Sequence, residues 1–480
     1  MNTNGDMRTT SGGTVRVPRE QVERLRKRLR GQLLMPGDAG YEEARRVWNG
    51  LIDRRPALIA RCADGRDVSS MVEFARDHEV LFSLRGGGHN VAGSAVPDQG
   101  LVIDLSPMKR VEVDPERRRV RVEAGVTLGE LDRETQAHGL AVPVGLVSAT
   151  GIAGLTLHGG LGWLTRRYGM SVDNLESVDL VTAEGTPIRA GSAENADLFW
   201  ALKGGGGNFG AVTAFEFRAH PVGPKVWFAA PIYPLDRASE VLAFFRQFMS
   251  TAPESLGAVA VYWSAPAIPQ VPREQRGAPA VMLLACYSGA FEQGEAAIEP
   301  LRHIGKPLAD LSAPMDFLEV QRYLDEDYPN GGLYYWKSIY LEELSDEAIA
   351  ALSSYAAVRP SMHSSIDLWA LGGALSRPGN NGGPLAVREA PYLLGIEANW
   401  HDPAHSAANI AWARELHRDM QRFSTGATYL NFPGFVEEGG ELLRSAYSRN
   451  YRRMQQIKGK YDPRNIFRGQ LPIEPLESTR

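Results

Sequence analysis

Three consecutive glycines, Gly86, Gly87 and Gly88, followed at once by His89 and Asn90, impose the tightest constraint on this chain. They stand between two apolar strand-like runs, Val80 to Leu84 and Leu101 to Leu105, with Val91-Ala92-Gly93-Ser94 read as a turn before the second. Glycine lacks the Cβ that blocks close approach, so the backbone can turn here and direct successive N–H groups at one anion, as a pyrophosphate cradle does. The His89 imidazole would then lie along the bound molecule. Taken alone, the segment reads equally well as a glycine turn ending in a surface histidine.

A chain of 480 residues exceeds what one hydrophobic core usually organises, so two large units are expected. The net charge of −5, with acids and bases well mixed, leaves no electrostatic footprint for nucleic acid or an anionic membrane. Neither is expected as a partner. Only Cys62 and Cys286 are present, too few for a disulfide framework and without zinc-site spacing, which suits a reducing cytosol. The first residues lack an apolar leader, and no stretch is long and apolar enough to span a bilayer, so a cytoplasmic protein is expected. No feature specifies an oligomeric state.

Small elements alternate in the first half. Apolar spacing predicts helices over Pro18 to Leu29 and over 67–78, the latter capped by Asp67. Alternation predicts hairpins over 111–124 and 180–190, the second turning at Glu184-Gly185. Thr127 and Glu130 form a capping box for a helix to His138, and Ala196 to Lys203 reads as a helix before the strand Ala211 to Phe217. Beyond Pro221-Val222-Gly223-Pro224 the texture changes to helices at 235–251, 345–357 and 404–423 between strands at 225–233, 257–264, 332–341, 363–371 and 391–400. A domain boundary belongs there. The later strands carry Trp263, Tyr334, Tyr335, Trp336, Trp369 and Trp400, either as core or as walls for a flat ring system. Gly379 to Gly383 reads as a mobile loop.

Gly205-x-Gly207-x-x-Gly210 matches the dinucleotide fingerprint as a string, but it follows a helix and opens a strand, the reverse of the Rossmann context. No P-loop lysine, G-x-S-x-G elbow or H-E-x-x-H motif occurs. His401 and His405 are four apart, yet Asp402-Pro403 between them spoils a shared helical face, so no metal site is expected. The glycine clusters instead suggest one cofactor stretched across a domain, met by 85–90, 145–162 and 204–210.

Six segments together resemble one family: Arg85 to Asn90; Gly151 to Trp163; Arg167-Tyr168-Gly169 with Asp173-Asn174; Asp197 to Gly210; Tyr429-Leu430-Asn431; and Tyr461 to Phe467. In this order they resemble the berberine bridge enzyme-like branch of the vanillyl-alcohol-oxidase flavoproteins. The resemblance implies an α+β chain: a PCMH-type FAD-binding domain of two α+β subdomains at 1–222, an inserted substrate domain on a helix-flanked antiparallel sheet at 223–425, and a C-terminal segment, 426–480, returning to the FAD domain. It implies FAD contacts from Arg85, Gly86, Gly87, Gly88, His89 and Asn90. Val147, Gly151, Gly154, His158, Gly159 and Gly160 supply the second group. Gly207, Asn208, Phe209, Gly210 and Val212 supply the third. His89 would carry the flavin covalently, and Val147 stands where many relatives have a second, cysteinyl link, so a single link is implied.

In the family the tyrosine matching Tyr429 faces substrate and is often the proposed base. Tyr429 and Asn431 are two apart on an expected strand and would point the same way. A phenol of pKa about 10 needs a cation beside it to lose its proton near neutrality. Many plant relatives have a lysine and a glutamine on the strand matching 392–400, where this chain has Leu393 and Gly395. That departure promotes Glu397, on the same strand face, as an alternative base, although an exposed strand carboxylate would read the same way; Lys337 is a weaker candidate. Thr150 matches the position that leaves room for dioxygen in relatives that react with it. His158 stands where relatives usually have glycine, and Phe467 to Pro472 lacks their usual asparagines. The expected activity is hydride abstraction from a small aromatic or polyketide-type metabolite to FAD, with O2 as acceptor. A sugar or hydroxynicotine-like cyclic-amine oxidase, and a resistance protein that sequesters its ligand, are the alternatives.

Overall fold

The computed structural model describes residues 6–377, 382–386, 388–469 and 471–476. Gly379 to Asn381 of the expected mobile loop, and Gln470 of the tail, lie outside the described residues. A four-stranded sheet runs in the order Gln32–Leu34, Leu58–Arg61, Leu101–Asp104, Phe82–Arg85. Leu58–Arg61 and Phe82–Arg85 are both parallel to Leu101–Asp104. Parallel neighbours need a crossover, supplied by the helix Gly65–Asp77. Its cap is Asp64, not Asp67: the Asp64 side chain accepts from the backbone N–H groups of Arg66 and Asp67. Asp67 is buried and accepts from Arg30 N, Gly31 N and Ala63 N at 2.9–3.0 Å, three donors that burial would otherwise strand.

A second sheet, fully antiparallel, has the order Pro187–Gly191, Leu175–Val181, Ala211–Arg218, Arg119–Glu123, Val111–Asp114. Both expected hairpins are part of it. The capping box at Thr127 and Glu130 starts the helix Leu128–Gln136. Side chains from both sheets, including Ile103, Val122, Val178 and Phe215, meet in one core.

A nine-stranded antiparallel sheet occupies 225–400, with Leu256–Ser264, Ser365–Ala370, Tyr392–Trp400 and Leu333–Leu341 side by side in that order. The strand expected over 225–233 is two, Lys225–Ala229 and Pro231–Pro234, broken where Pro231 has no N–H for a continuous ladder. Helices Ala238–Met249, Asp346–Ala357 and Ser406–Met420 cover one face through Leu242, Leu352 and Leu416. Trp163, Leu164 and Val91 of the N-terminal half pack against the other. With both faces covered, every residue of Leu333–Leu341 and Tyr392–Trp400 is buried. Any polar side chain on these strands must therefore find a partner or pay for its desolvation.

Residues 424–436 run beside Leu333–Leu341 without forming the expected strand. Their ladder pairing with it is limited to two isolated bridges, Ser424 with Leu341 and Pro433 with Lys337. The Ser338 hydroxyl takes the Tyr429 N–H at 3.1 Å, and Pro433 has no N–H to extend a ladder. The chain then returns through Gly440–Tyr447 and Tyr451–Tyr461 to the helix Ala196–Leu202. There Lys458 Nζ, fully buried, donates to Asp462 Oδ2 (2.6 Å), Asn208 O (2.7 Å) and Phe467 O (2.8 Å).

Candidate functional site

One cavity extends from the glycine cluster at Gly86 to the Tyr429 ring and on to the C-terminal residues Phe467, Arg468 and Leu471. At its glycine end, Gly87 lies so close to Gly151 that a Cβ on Gly87 would stand 2.5 Å from the Gly151 nitrogen. A Cβ on Gly151 would in turn strike Gly87 N. Two backbone segments can meet this tightly only as glycines. Gly88 (φ +69°), His89 and Asn90 complete this wall. Asn90 lines the cavity, and its Oδ1 accepts from Ala92 N, Ser94 N and Ser94 Oγ and fixes the following turn.

The His89 ring stacks on Trp48 with centroids 4.1 Å apart, and Trp48 stacks on Tyr334 at 3.7 Å on its other side. Desolvation pushes the imidazole down to about 3, so it stays neutral, and its Nε2 is buried without a partner. A neutral ring nitrogen with a free lone pair is chemically able to form a bond to carbon. Sequence reasoning missed Trp48. It lies in an irregular stretch with no pattern, held by Trp48 N to Gly88 O (3.1 Å) and Nε1 to Tyr328 O (3.0 Å).

Val147, Thr150, Gly154, His158, Gly207, Asn208 and Val212 also line the cavity. His158 shares a 3.1 Å hydrogen bond from Nδ1 with Gly154 O, and its ring covers Gly206, where a Cβ would strike Nε2. It therefore both fills the gap between two glycine clusters and faces the cavity. Asn208 spends its side chain on the tail: Nδ2 donates to Gly205 O (2.9 Å) and Leu471 O (3.3 Å), and Oδ1 accepts from Ile473 N (3.0 Å).

Five expected contact residues lie outside the cavity wall. Arg85 turns away to the Ala44 carbonyl. Phe209 is core, and Gly210 (φ +156°) sits against Leu180, where a Cβ would be 2.7 Å from Cδ1. Gly159 and Gly160, at φ +113° and +85°, form a turn behind Tyr429. Gly160 N and Leu161 N each donate to the Tyr429 hydroxyl at 3.2 Å.

Tyr429 and Asn431 do meet, although not as strand neighbours: Asn431 Nδ2 donates to the Tyr429 hydroxyl (2.9 Å) and to Leu155 O (3.2 Å). Among the described residues no cation assists the phenol. Burial pushes it up to about 12 against the pull of these three donors. Lys337 is on the opposite face of its strand, ion-paired with Glu438, and does not line the cavity.

Glu397 is buried on the cavity wall, not exposed. Tyr328 donates to its Oε2 at 2.8 Å, and burial followed by the neighbouring Asp367 holds its carboxyl well above the usual range. Asp367, pushed up to about 7 by burial, faces Gly395 across the strand pair and also lines the cavity, as does Leu393. Sequence reading passed over Asp367, yet a lone acid inside the apolar run Ser365–Ala370 was a usable signal. Of the strand aromatics, Trp263, Trp336 and Trp369 line the cavity. Tyr335 and Trp400 lie in the core beneath the helices, because side chains alternate faces along a strand.

These residues fit a dinucleotide: a backbone cradle free of Cβ atoms, an unpartnered imidazole at its rim and a long trough leading to titratable side chains. The family model described as an FAD binding domain matches residues 56–191, and that described as berberine and berberine like matches 428–474. The chain is 31% identical to (R)-6-hydroxynicotine oxidase of Paenarthrobacter nicotinovorans over 458 residues, 93% of this chain and 97% of that protein. It is 30% identical to the FAD-linked oxidoreductase YgaK of Bacillus subtilis over 456 residues, 94% and 98% of the two chains. The crystal structure of 6-hydroxy-D-nicotine oxidase from Arthrobacter nicotinovorans superposes with a TM-score of 0.82 at 27% identity, covering 92% of this chain and 97% of that one. With the cradle, the trough and this agreement over nearly its whole length, the chain belongs to the berberine bridge enzyme-like family and is an FAD-linked oxidoreductase.

Proposed function

We propose that the protein is an FAD-dependent oxidase of a small, flat and largely apolar substrate of aromatic or polyketide type, with O2 as electron acceptor. The observation that carries this reading is Glu397, a buried carboxyl of raised proton affinity on the wall of the cofactor trough, opposite no lysine. When bound, the flavin accepts a hydride from a substrate C–H bond. Glu397 removes the proton from the substrate heteroatom, a role suited to a carboxylate whose proton affinity burial has raised. Tyr328 orients its carboxyl, and Tyr429 with Asn431 closes the substrate end.

We assign His89 as the single covalent attachment point, supported by its neutral, unpartnered nitrogen. Val147 lines the cavity where a cysteine would stand, while the thiols of Cys62 and Cys286 are buried elsewhere with their proton affinity raised by desolvation. Thr150, also on the cavity wall, is assigned to the O2 side. The four- and five-stranded sheets before residue 222 and the nine-stranded sheet after it support a division into 1–222 and 223–425, with 426–480 tied back to the first by Lys458. Both cysteines are unpaired, which agrees with a reducing cytosol, and among the described residues no helix is long and apolar enough to cross a membrane.

Valine, leucine and tryptophan walls favour a flat apolar substrate over a sugar. Acid precipitation tests the attachment: yellow colour should pellet with the wild-type protein and stay in the supernatant with His89→Ala. Anaerobic mixing with aromatic phenols and amines tests the oxidase reading, since bleaching of the flavin is expected. Ligand binding without any bleaching would instead identify a sequestering protein.

A further inference from the structure

We propose that Asp367 and Glu397 together form the subsite for a protonated amine of the substrate. This names the substrate class of the oxidase site and so rests on that reading. The two carboxyls stand diagonally on neighbouring antiparallel strands, where Asp367 pairs with Gly395 and Ser365 with Glu397. Between them there is no side chain: a Cβ on Gly395 would lie 3.5 Å from Asp367 Cβ and 3.7 Å from Glu397 Oε1. The gap opens into the cavity that both acids line.

Only part of this acidic pair is satisfied from within. Tyr328 donates to Glu397 Oε2, while Asp367 Oδ1 is buried with no partner on a residue only 6% exposed. Apart from the buried Ser365 hydroxyl beside Asp367, the neighbours packed against the pair are apolar: Val261 opposite Asp367 on one side, and Trp336 and Phe432 over Glu397 and Gly395 on the other. The titratable groups facing it are Tyr328 and, behind that ring, Asp327. Among the described lining residues the one fixed cation is Arg468, which donates to Thr10 O (3.1 Å) at the tail end.

Two carboxyls in a dry site repel each other, and neither ionises readily unless a positive charge enters. A substrate ammonium supplies that charge together with N–H donors for the free oxygens, whereas an ether or ketone supplies neither. The aromatic walls around the pair would hold the apolar body of such an amine.

The test uses two probes of nearly the same shape, N-methylbenzylamine and benzyl methyl ether, titrated into flavin-loaded enzyme without oxygen and read by the change in flavin absorbance or by calorimetry. The amine should bind at least tenfold more tightly than the ether at pH 8, and Asp367→Asn should erase most of that preference. Because binding is read without turnover, an enzyme whose flavin is never reduced would sink the oxidase reading and leave this result standing. Should Asp367→Asn not fold, the wild-type pH series decides: amine affinity should rise from pH 5 to pH 8 as the pair ionises, with ether affinity flat. Equal affinity for the two probes, no binding of the amine at 10 mM, or a preference unchanged by both pH and Asp367→Asn would overturn the proposal.

Discussion

The Tyr328 hydroxyl donates to Glu397 Oε2 at 2.8 Å, joining a residue of the 3-10 turn after Leu324 to the middle of a buried strand. The same Tyr328 accepts the Trp48 indole N–H on its backbone carbonyl, so the carboxyl and the ring stacked on His89 share one support. Glu397→Gln keeps the shape and removes the base. The rate of anaerobic flavin reduction should fall by about 10²–10⁴-fold, with binding of flavin intact. Tyr328→Phe should lower the same rate less, by freeing the carboxyl to rotate. Stopped-flow absorbance separates the two effects.

Tyr429→Phe deletes the oxygen that receives Gly160 N, Leu161 N and Asn431 Nδ2. Three buried donors then compete for fewer acceptors, at a cost of about 1–3 kcal/mol for each left unpaired. Thermal denaturation should show a lower Tm even for flavin-loaded protein. With the phenol pushed up to about 12, no phenolate titration of Tyr429 should be visible between pH 6 and pH 9 in its ultraviolet difference spectrum.

Asp367 has a folded-state proton affinity raised to about 7 from 3.8, burial being the largest cause. The unfolded chain therefore loses this proton first as pH rises. Its contribution to stability is fully present below pH 4 and is lost as pH rises toward about 7. Asp367→Asn removes this group's share of the dependence and leaves that of the buried Glu397, so its stability relative to wild type should rise over that interval. Urea unfolding at pH 4.5 and pH 8 measures the difference, and an equal offset at both would refute the assignment.

Lys458→Met strands the Asp462 carboxylate, whose oxygens still accept from Ile466 N and Phe467 N at 2.9 Å. Breaking a fully buried pair by removing one partner costs about 3–5 kcal/mol. Because Lys458 also holds Asn208 O and Phe467 O, the variant should show early protease cleavage in the C-terminal tail before global unfolding.

Local patterns carried much of the architecture. The hairpins, the Thr127 capping box, the helix over 67–78 and the strands at 257–264, 332–341, 363–371 and 391–400 follow from turn residues and short-range alternation, which depend on neighbours in sequence; the strand Pro279–Tyr287 in the same sheet was not among those expected. The glycine clusters likewise declared a site of close backbone approach, and Gly87 against Gly151 realises it. What the tertiary structure decided was which side chains meet. Asn431 reaches Tyr429 through an irregular segment because Ser338 and Pro433 interrupt the ladder. Arg85 and Phe209 leave the trough because each satisfies a different neighbour. Trp48, Tyr328 and Asp367 come from three distant segments, and their contacts with His89 and Glu397 arise only when the sheets pack. Polarity and spacing along the chain record what each residue prefers locally; the partner that satisfies a buried charge is set by long-range burial, which no local window contains.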